Sequence, residues 1–146
     1  MILNKPYLIL IVIFISTKAF GQISLDAQYR SGAGWFQAYE AGIKVDLKKG
    51  YGVFRGFNAT DFGNSSRADS SSFGISIGAG YSFKIISRLS LGGEVNLRIN
   101  DLNGANGDPF LSPQLYLGYD FKWFEIQLNL GVPYFFGFGI NIPLKT

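Results

Sequence analysis

The stretch FGISIGAGYSFKIISRLSLGGEVNLRI, residues 73–99, consists of two arms in which apolar and polar side chains alternate. The polar face of both arms carries mostly Gly, Ser and Asn, with a few charged residues. A period of two over arms of this length indicates β-strands, and the short connection between them predicts an antiparallel hairpin. The apolar face carries Phe73, Ile75, Ile77, Ala79, Tyr81 and Phe83, then Leu89, Leu91, Val95, Leu97 and Ile99.

The same alternation recurs along the rest of the chain, and no helical periodicity follows residue 22. Short turns are expected at Lys48–Gly50, Lys84–Arg88 and Lys122–Trp123, and longer polar loops at Asp61–Ser70 and Asp101–Pro109. The pattern predicts an all-β protein, an eight-stranded antiparallel up-and-down barrel. The six further strands are expected at about Ile23–Arg30, Trp35–Leu47, Tyr51–Thr60, Phe110–Phe121, Phe124–Val132 and Tyr134–Leu144.

The N-terminal segment has the organisation of a secretory signal peptide. Lys5 supplies a positive charge, Tyr7–Ile15 form a short apolar run, and Ala19-Phe20-Gly21 place small residues at the positions that signal peptidase prefers. Residues 1–21 are therefore predicted to be removed before Gln22, which leaves residues 22–146 as one barrel domain. The alternative is an uncleaved anchor, but the apolar run is far shorter than the roughly 20 residues of a membrane-spanning helix.

Composition restricts the chemistry that the chain can perform. It contains no Cys and no His, so it has no disulfide, no thiolate and none of the imidazoles that serve most often as general bases and metal ligands. We therefore expect no enzymatic activity, no catalytic residues, no metal and no cofactor. Oxygen ligands for Ca²⁺ could come from Asp101, Asn103, Asn106 and Asp108, but such residues are also ordinary in loops. The net charge of +3 does not suggest nucleic-acid binding.

The two faces of the strands decide which side of the barrel is the outside. If the apolar face pointed inward, roughly forty large apolar side chains would have to fit inside a small barrel. If the polar face points inward, its Gly and Ser residues leave room for a few long polar side chains. The sequence thus predicts a transmembrane barrel with its apolar face in lipid. Its lumen is expected to hold a polar network of Glu40, Lys44, Asp46, Arg55, Glu94, Arg98, Asp120 and Glu125.

Aromatic residues cluster beside the predicted short turns, at the depth where aromatic rings collect in membranes. The predicted girdle consists of Tyr51, Tyr81, Phe83, Tyr119, Phe121 and Trp123. If Tyr51 points outward, simple alternation also directs Arg55 to the lipid, at a cost of about 2–4 kcal/mol near the midplane. We therefore expect a β-bulge in the third strand that turns Arg55 into the lumen.

A signal peptide followed by eight amphipathic strands resembles the small bacterial outer-membrane β-barrels of the OmpA and OmpX type, over essentially the whole mature chain. Members of this family carry an assembly signal in the last strand, a Gly followed by hydrophobic residues two apart. Gly139, Ile142 and Leu144 fit that spacing, as do Gly137, Ile140 and Ile142, although the chain ends in Thr146 rather than an aromatic residue. The resemblance implies outer-membrane lipid and the barrel-assembly machinery as partners, with both chain ends in the periplasm.

The function expected from these features is structural, adhesive or surface-binding, through the two long loops that a rigid barrel would present. One alternative is a secreted soluble β-barrel or sandwich that binds an apolar ligand. Another is a narrow pore, in which the polar lumen would be a conduit rather than a plug of paired side chains.

Overall fold

The computed structural model describes residues 21–32, 36–61, 70–100, 109–132 and 135–144, which form strands and turns. No helix in this part of the chain is long and apolar enough to cross a membrane. The predicted signal peptide lies outside the described residues, apart from Gly21. The eight strands are β1 (Ile23–Gly32), β2 (Phe36–Leu47), β3 (Gly50–Asp61), β4 (Ser70–Ile86), β5 (Leu89–Asn100), β6 (Phe110–Phe121), β7 (Phe124–Gly131) and β8 (Phe136–Pro143).

The strands form one closed barrel in chain order. Each strand pairs antiparallel with the next, and β8 pairs with β1 from Ser24 opposite Pro143 to Ser31 opposite Phe136. The registers of the eight pairs combine to a stagger of about ten residues around the barrel. Such a stagger tilts the strands by about 40° and leaves an interior just wide enough for side chains. The predicted up-and-down barrel is confirmed.

Alternation places polar residues inside the barrel and apolar residues outside. In β6, Gln114 and Tyr116 are buried, whereas Leu115 and Leu117 are 62% and 40% exposed. Strands β1, β2, β4, β5, β7 and β8 follow the same rule, so their polar faces line the interior as predicted, whereas β3 also directs Val53 and Phe57 inward. The buried charged side chains are Asp26, Arg30, Glu40, Lys44, Arg55, Glu94 and Arg98.

In β3 the predicted orientation of Tyr51 and the predicted bulge are both wrong. Pairing runs without interruption from Gly50 to Asp61 on the β2 side, and the β4 side is equally regular. Tyr51 lies directly opposite Asp46, and paired residues point to the same side of a sheet, so Tyr51 points into the lumen. Arg55 follows Tyr51 by four residues and therefore also points inward, as expected, without a bulge.

The irregularity that the sequence led us to expect in β3 occurs instead at the end of β4. The connection predicted at Lys84–Arg88 is shorter, because β4 continues to Ile86 and the turn consists of Ser87 and Arg88. The register with β5 shifts between Lys84 and Ile86. Ile85 and Ile86 are both more than half exposed, which is the local break in alternation that a bulge produces.

The two ends of the barrel differ. At one end, which we call the turn end, the connections after β2, β4 and β6 are two residues each, and β1 begins and β8 ends there. At the other end, which we call the loop end, the predicted loops Asp61–Ser70 and Asp101–Pro109 connect β3 to β4 and β5 to β6. Most of both loops, including the four candidate Ca²⁺ ligands, lies outside the described residues.

Candidate functional site: the polar lumen

The centre of the lumen is organised around Arg55, which is 1% exposed. Its Nε donates to Asp26 Oδ1, while Nη1 and Nη2 donate to the two carboxylate oxygens of Glu94 at 2.5 and 3.1 Å. Glu94 Oε1 also accepts hydrogen bonds from Asn96 Nδ2 at 2.7 Å and from Gln114 Nε2 at 2.6 Å. One guanidinium thus links strands β1, β3 and β5, with the bidentate geometry that Arg alone can supply.

A second cluster lies closer to the loop end, where two arginines share one carboxylate. Arg98 Nη2 donates to Glu40 Oε1, and Arg30 Nε lies 3.1 Å from the same oxygen. Gln28 Oε1 also accepts from Arg30 Nη2 at 2.7 Å, and the Arg98 guanidinium lies 4.9 Å from the centre of the Phe57 ring. Buried charges are costly unless they are paired and hydrogen-bonded, and here one carboxylate serves as the counter-ion of two guanidinium groups.

Towards the turn end, the buried cation Lys44 lies among aromatic rings. Its Nζ is 4.1 Å from the centre of the Tyr51 ring and 5.9 Å from that of Tyr116, and the two rings are 6.3 Å apart. The face of an aromatic ring attracts a cation, more strongly where water is excluded. The rings lie where β4 and β5 have Gly80 and Gly92, whose Cβ atoms would overlap them. Glycine at these two positions therefore makes the room that Tyr51 and Tyr116 occupy.

The described lumen side chains reach across the barrel and fill it. Arg55 on β3 contacts Asp26 on β1 and Glu94 on β5, and Arg98 on β5 contacts Glu40 on β2. A Cβ on Gly78 would overlap the amide of Asn96, which shows how closely this layer is packed. The arrangement is a plug of side chains in which each buried carboxylate faces at least one guanidinium group.

The structure brings together five of the eight residues predicted for the lumen network: Glu40, Lys44, Arg55, Glu94 and Arg98. The other three, Asp46, Asp120 and Glu125, lie half-buried at the turn end, where each is separated from a two-residue turn by one residue. Asp120 pairs there with the exposed Lys84 at 3.6 Å, and Glu125 accepts from Gln127 at 2.9 Å.

Two central members of the network, Asp26 and Arg30, were missing from the predicted set. Both lie on the polar face of the first strand, where they alternate with Leu25, Ala27 and Tyr29. The signal that identifies them is therefore the same period of two that identified the other lumen residues. Had all charged residues on polar faces been included, both would have been found.

Five of the six girdle residues lie on the outer surface near the turn end. Tyr81, Phe83 and Trp123 are 59%, 51% and 63% exposed, and Tyr119 and Phe121 are about 40% exposed. The sixth, Tyr51, is 3% exposed in the lumen. Tyr119 meets Phe121 edge to face at 4.8 Å, and Phe121 stacks on Phe124 at 5.1 Å, so the rings form a continuous aromatic surface.

Within the described part of the chain, no three Asp or Glu residues are grouped in a way that could hold a metal ion. The carboxylates of Asp26, Glu40 and Glu94 instead face guanidinium groups. The ion pairs and hydrogen bonds of this arrangement can hold the strands in register and keep the charged side chains of the interior in fixed positions.

Comparison with known proteins supports the fold. No protein-family model matches the sequence, and no curated protein matches it. Among solved structures, a chain from work on the de novo design of transmembrane beta-barrels aligns with a TM-score of 0.66 at 11% identity, over 85% of this chain and 96% of that chain. At that identity the likeness concerns the fold alone, and the fold is a closed eight-stranded antiparallel barrel of the transmembrane type.

Proposed function

We propose that this protein is a small integral β-barrel of a bacterial outer membrane, with a structural, adhesive or surface-binding role. The observation that carries the proposal is the inverted polarity of the barrel, with charged and amide side chains buried and large apolar side chains exposed. An apolar patch on a soluble monomer seldom exceeds a few hundred Å², whereas here apolar side chains surround the barrel. Closure of the sheet also removes every free strand edge, which a bilayer requires.

The orientation of the barrel follows from its unequal ends. In outer-membrane barrels the short turns face the periplasm and the longer loops face outward. We therefore place both chain ends in the periplasm and the two long loops at the cell surface. The predicted signal peptide and the spacing of Gly and hydrophobic residues in β8 support the proposal of export and of insertion by the barrel-assembly machinery, with lipid of the outer membrane as the surrounding partner.

The packed lumen supports a structural role for the barrel and argues against a conducting one. Arg55 and Arg98 bridge opposite walls through carboxylates, so an ion path would require these contacts to break. We propose that binding takes place on the loops and that the chain is not an enzyme. A soluble carrier of apolar ligands is not favoured, because its interior would have to be apolar.

Heat-modifiable migration on a denaturing gel tests the proposal. A closed barrel folded in detergent or vesicles should migrate as a compact band without boiling and should shift to its full apparent mass after boiling. The protein should also remain in the membrane pellet after carbonate extraction. A chain that stays monodisperse in buffer without detergent would contradict the proposal and would support the soluble carrier.

Surface display tests the orientation. An epitope inserted in the Asp61–Ser70 loop should bind antibody on intact cells, and the same epitope inserted between Ser87 and Arg88 should bind only after the outer membrane is permeabilised. The reverse pattern would contradict the proposed orientation. Planar-bilayer recording of the purified protein should show no current steps above background, and regular steps would instead support a pore.

A further inference from the structure

Exposed cations occur in every two-residue turn at the turn end. Lys48 and Lys49 form the turn after β2, Arg88 lies in the turn after β4, and Lys122 lies in the turn after β6. Lys84, at the end of β4, is paired with Asp120. Cations of this kind, just beyond an apolar membrane band, attract anionic headgroups by about 1 kcal/mol each.

One of these cations, Lys122, stands at the rim of a groove on the outer face. The groove has a volume of about 370 Å³, within the range of small-molecule sites. Among the described residues of its lining, Lys122 is the one that carries a charge, and that charge is positive. The other lining residues are Trp123, Phe124, Ile140, Ile142 and Pro143.

A second groove adjoins the first on the side of β1 and β2. It has a volume of about 540 Å³ and shares Ile140 and Ile142 with the first. Its floor lies at Ala27 and Ala41, which are direct partners across β1 and β2 and leave space because the neighbouring outward residues are larger. We call the two adjoining grooves the trough; Lys122 lies at its turn end, and Ala27 and Ala41 lie further towards the centre of the strands.

The backbone at Lys122 supports a specific role for its side chain. Its φ is +25°, and no other non-glycine residue among those described has a positive φ. A left-handed conformation costs an L-residue roughly 1–2 kcal/mol and is usually given to Gly or Asn. Two-residue hairpin turns commonly need a positive φ, and at this position the chain has a lysine where glycine would avoid the conformational cost.

We propose that the trough holds one anionic phospholipid. The ammonium group of Lys122 pairs with the lipid phosphate, Trp123 lies at the depth of the headgroup, and one acyl chain runs over Ile142 and Ile140 to the space beside Ala27 and Ala41. A zwitterionic headgroup fits less well, because its own cation would lie close to Lys122. This inference rests on the proposed membrane location of the barrel.

Quenching of Trp123 by brominated lipid tests the proposal. The Trp35→Phe variant makes Trp123 the sole tryptophan. It is folded into vesicles that contain phosphatidylglycerol or phosphatidylcholine brominated near the headgroup end of one acyl chain. We expect phosphatidylglycerol to associate beside Trp123 about fivefold more strongly than phosphatidylcholine. In this background Lys122→Gln should abolish the preference and Lys122→Arg should keep it, while Lys49→Gln, the same charge change at the same end, should leave it unchanged.

Native mass spectrometry of barrels released from phosphatidylglycerol micelles gives a second readout. Retention of one lipid per chain should fall at least fivefold when Ala27→Leu fills the trough, and should be unaffected by Ala79→Leu on the outer face of β4. Equal quenching by both lipids, or equal losses in the Lys122 and Lys49 variants, would overturn the lipid site but leave the membrane location intact. Absence of quenching by either lipid would overturn both.

Discussion

Replacing Arg55 with methionine is the most informative change to the lumen. Methionine keeps much of the length and volume of the side chain but removes the cation that faces Asp26 and Glu94. Glu94 retains its hydrogen bonds from Asn96 and Gln114, whereas Asp26 Oδ2 has no hydrogen-bond partner among the described residues. The variant thus leaves two buried carboxylates without their counter-ion.

The size of the effect follows from burial. The Arg55 and Asp26 side chains are 1% exposed and that of Glu94 is 2% exposed, so water cannot replace the lost contacts. Removing one partner from a buried ion pair costs about 3–5 kcal/mol, because the remaining charge stays desolvated. By contrast, the Lys84–Asp120 pair has side chains that are 65% and 48% exposed and should contribute less than about 1 kcal/mol.

Urea-induced unfolding from lipid vesicles, followed by the heat-modifiable gel shift, measures the difference. The free energy of unfolding should fall by about 3–5 kcal/mol in Arg55→Met and by less than about 1 kcal/mol in the control Lys84→Met. Adding Asp26→Asn and Glu94→Gln to Arg55→Met should recover much of the loss, since no unpaired charge then remains. If Arg55→Met cost no more than Lys84→Met, the lumen would be solvated and the network would not stabilise the barrel.

Three further substitutions test the packing and the two faces, each by the midpoint of unfolding in urea. Gly80→Ala should destabilise the barrel by about 1–3 kcal/mol, because its Cβ would overlap the Tyr51 ring, whereas Gly56→Ala, with open space around it, should stabilise by about 0.5–1 kcal/mol. Tyr51→Ala should lower the free energy of unfolding by about 3–5 kcal/mol, and Tyr81→Ala, on the outer surface, should lower it much less. Equal losses in the two variants would contradict the lumen position of Tyr51. Leu115→Arg should cost about 2–4 kcal/mol in a bilayer, and a neutral result would show that Leu115 does not face hydrocarbon.

The fold and the inward face could be predicted because a closed barrel imposes one strict rule on every strand. Period two assigns each residue to the inside or the outside, and nearly all polar positions of β1, β5, β6 and β7 obey it. The rule fails at the bulge near Ile85, and in β3 its phase was set wrongly at the first residue. Taking Tyr51 as outward required a bulge before Arg55, whereas the two-residue turn at Lys48 and Lys49 places Tyr51 opposite Asp46 and gives the correct phase.

The connectivity of the lumen network could not be predicted from the sequence. Which carboxylate Arg55 meets depends on the stagger between strands that are far apart in the chain, and alternation does not specify stagger. The aromatic contacts of Lys44 depend on it as well, because Tyr51 and Tyr116 come together only after the barrel closes. The bulge near Ile85 could not be predicted either, because the sequence from Lys84 to Ile86 is equally compatible with a longer turn.

The central claim is that the apolar outer surface of the barrel faces hydrocarbon. Because the chain contains no cysteine, nitroxide labels can be attached at single introduced cysteines in place of Val95, Leu97 and, as an aqueous reference, Ser87. In vesicles, the labels at Val95 and Leu97 should be accessible to dissolved oxygen and shielded from a water-soluble nickel chelate, and the label at Ser87 should show the reverse. Labels at Val95 and Leu97 that are as accessible to the nickel chelate as the label at Ser87 would contradict the claim.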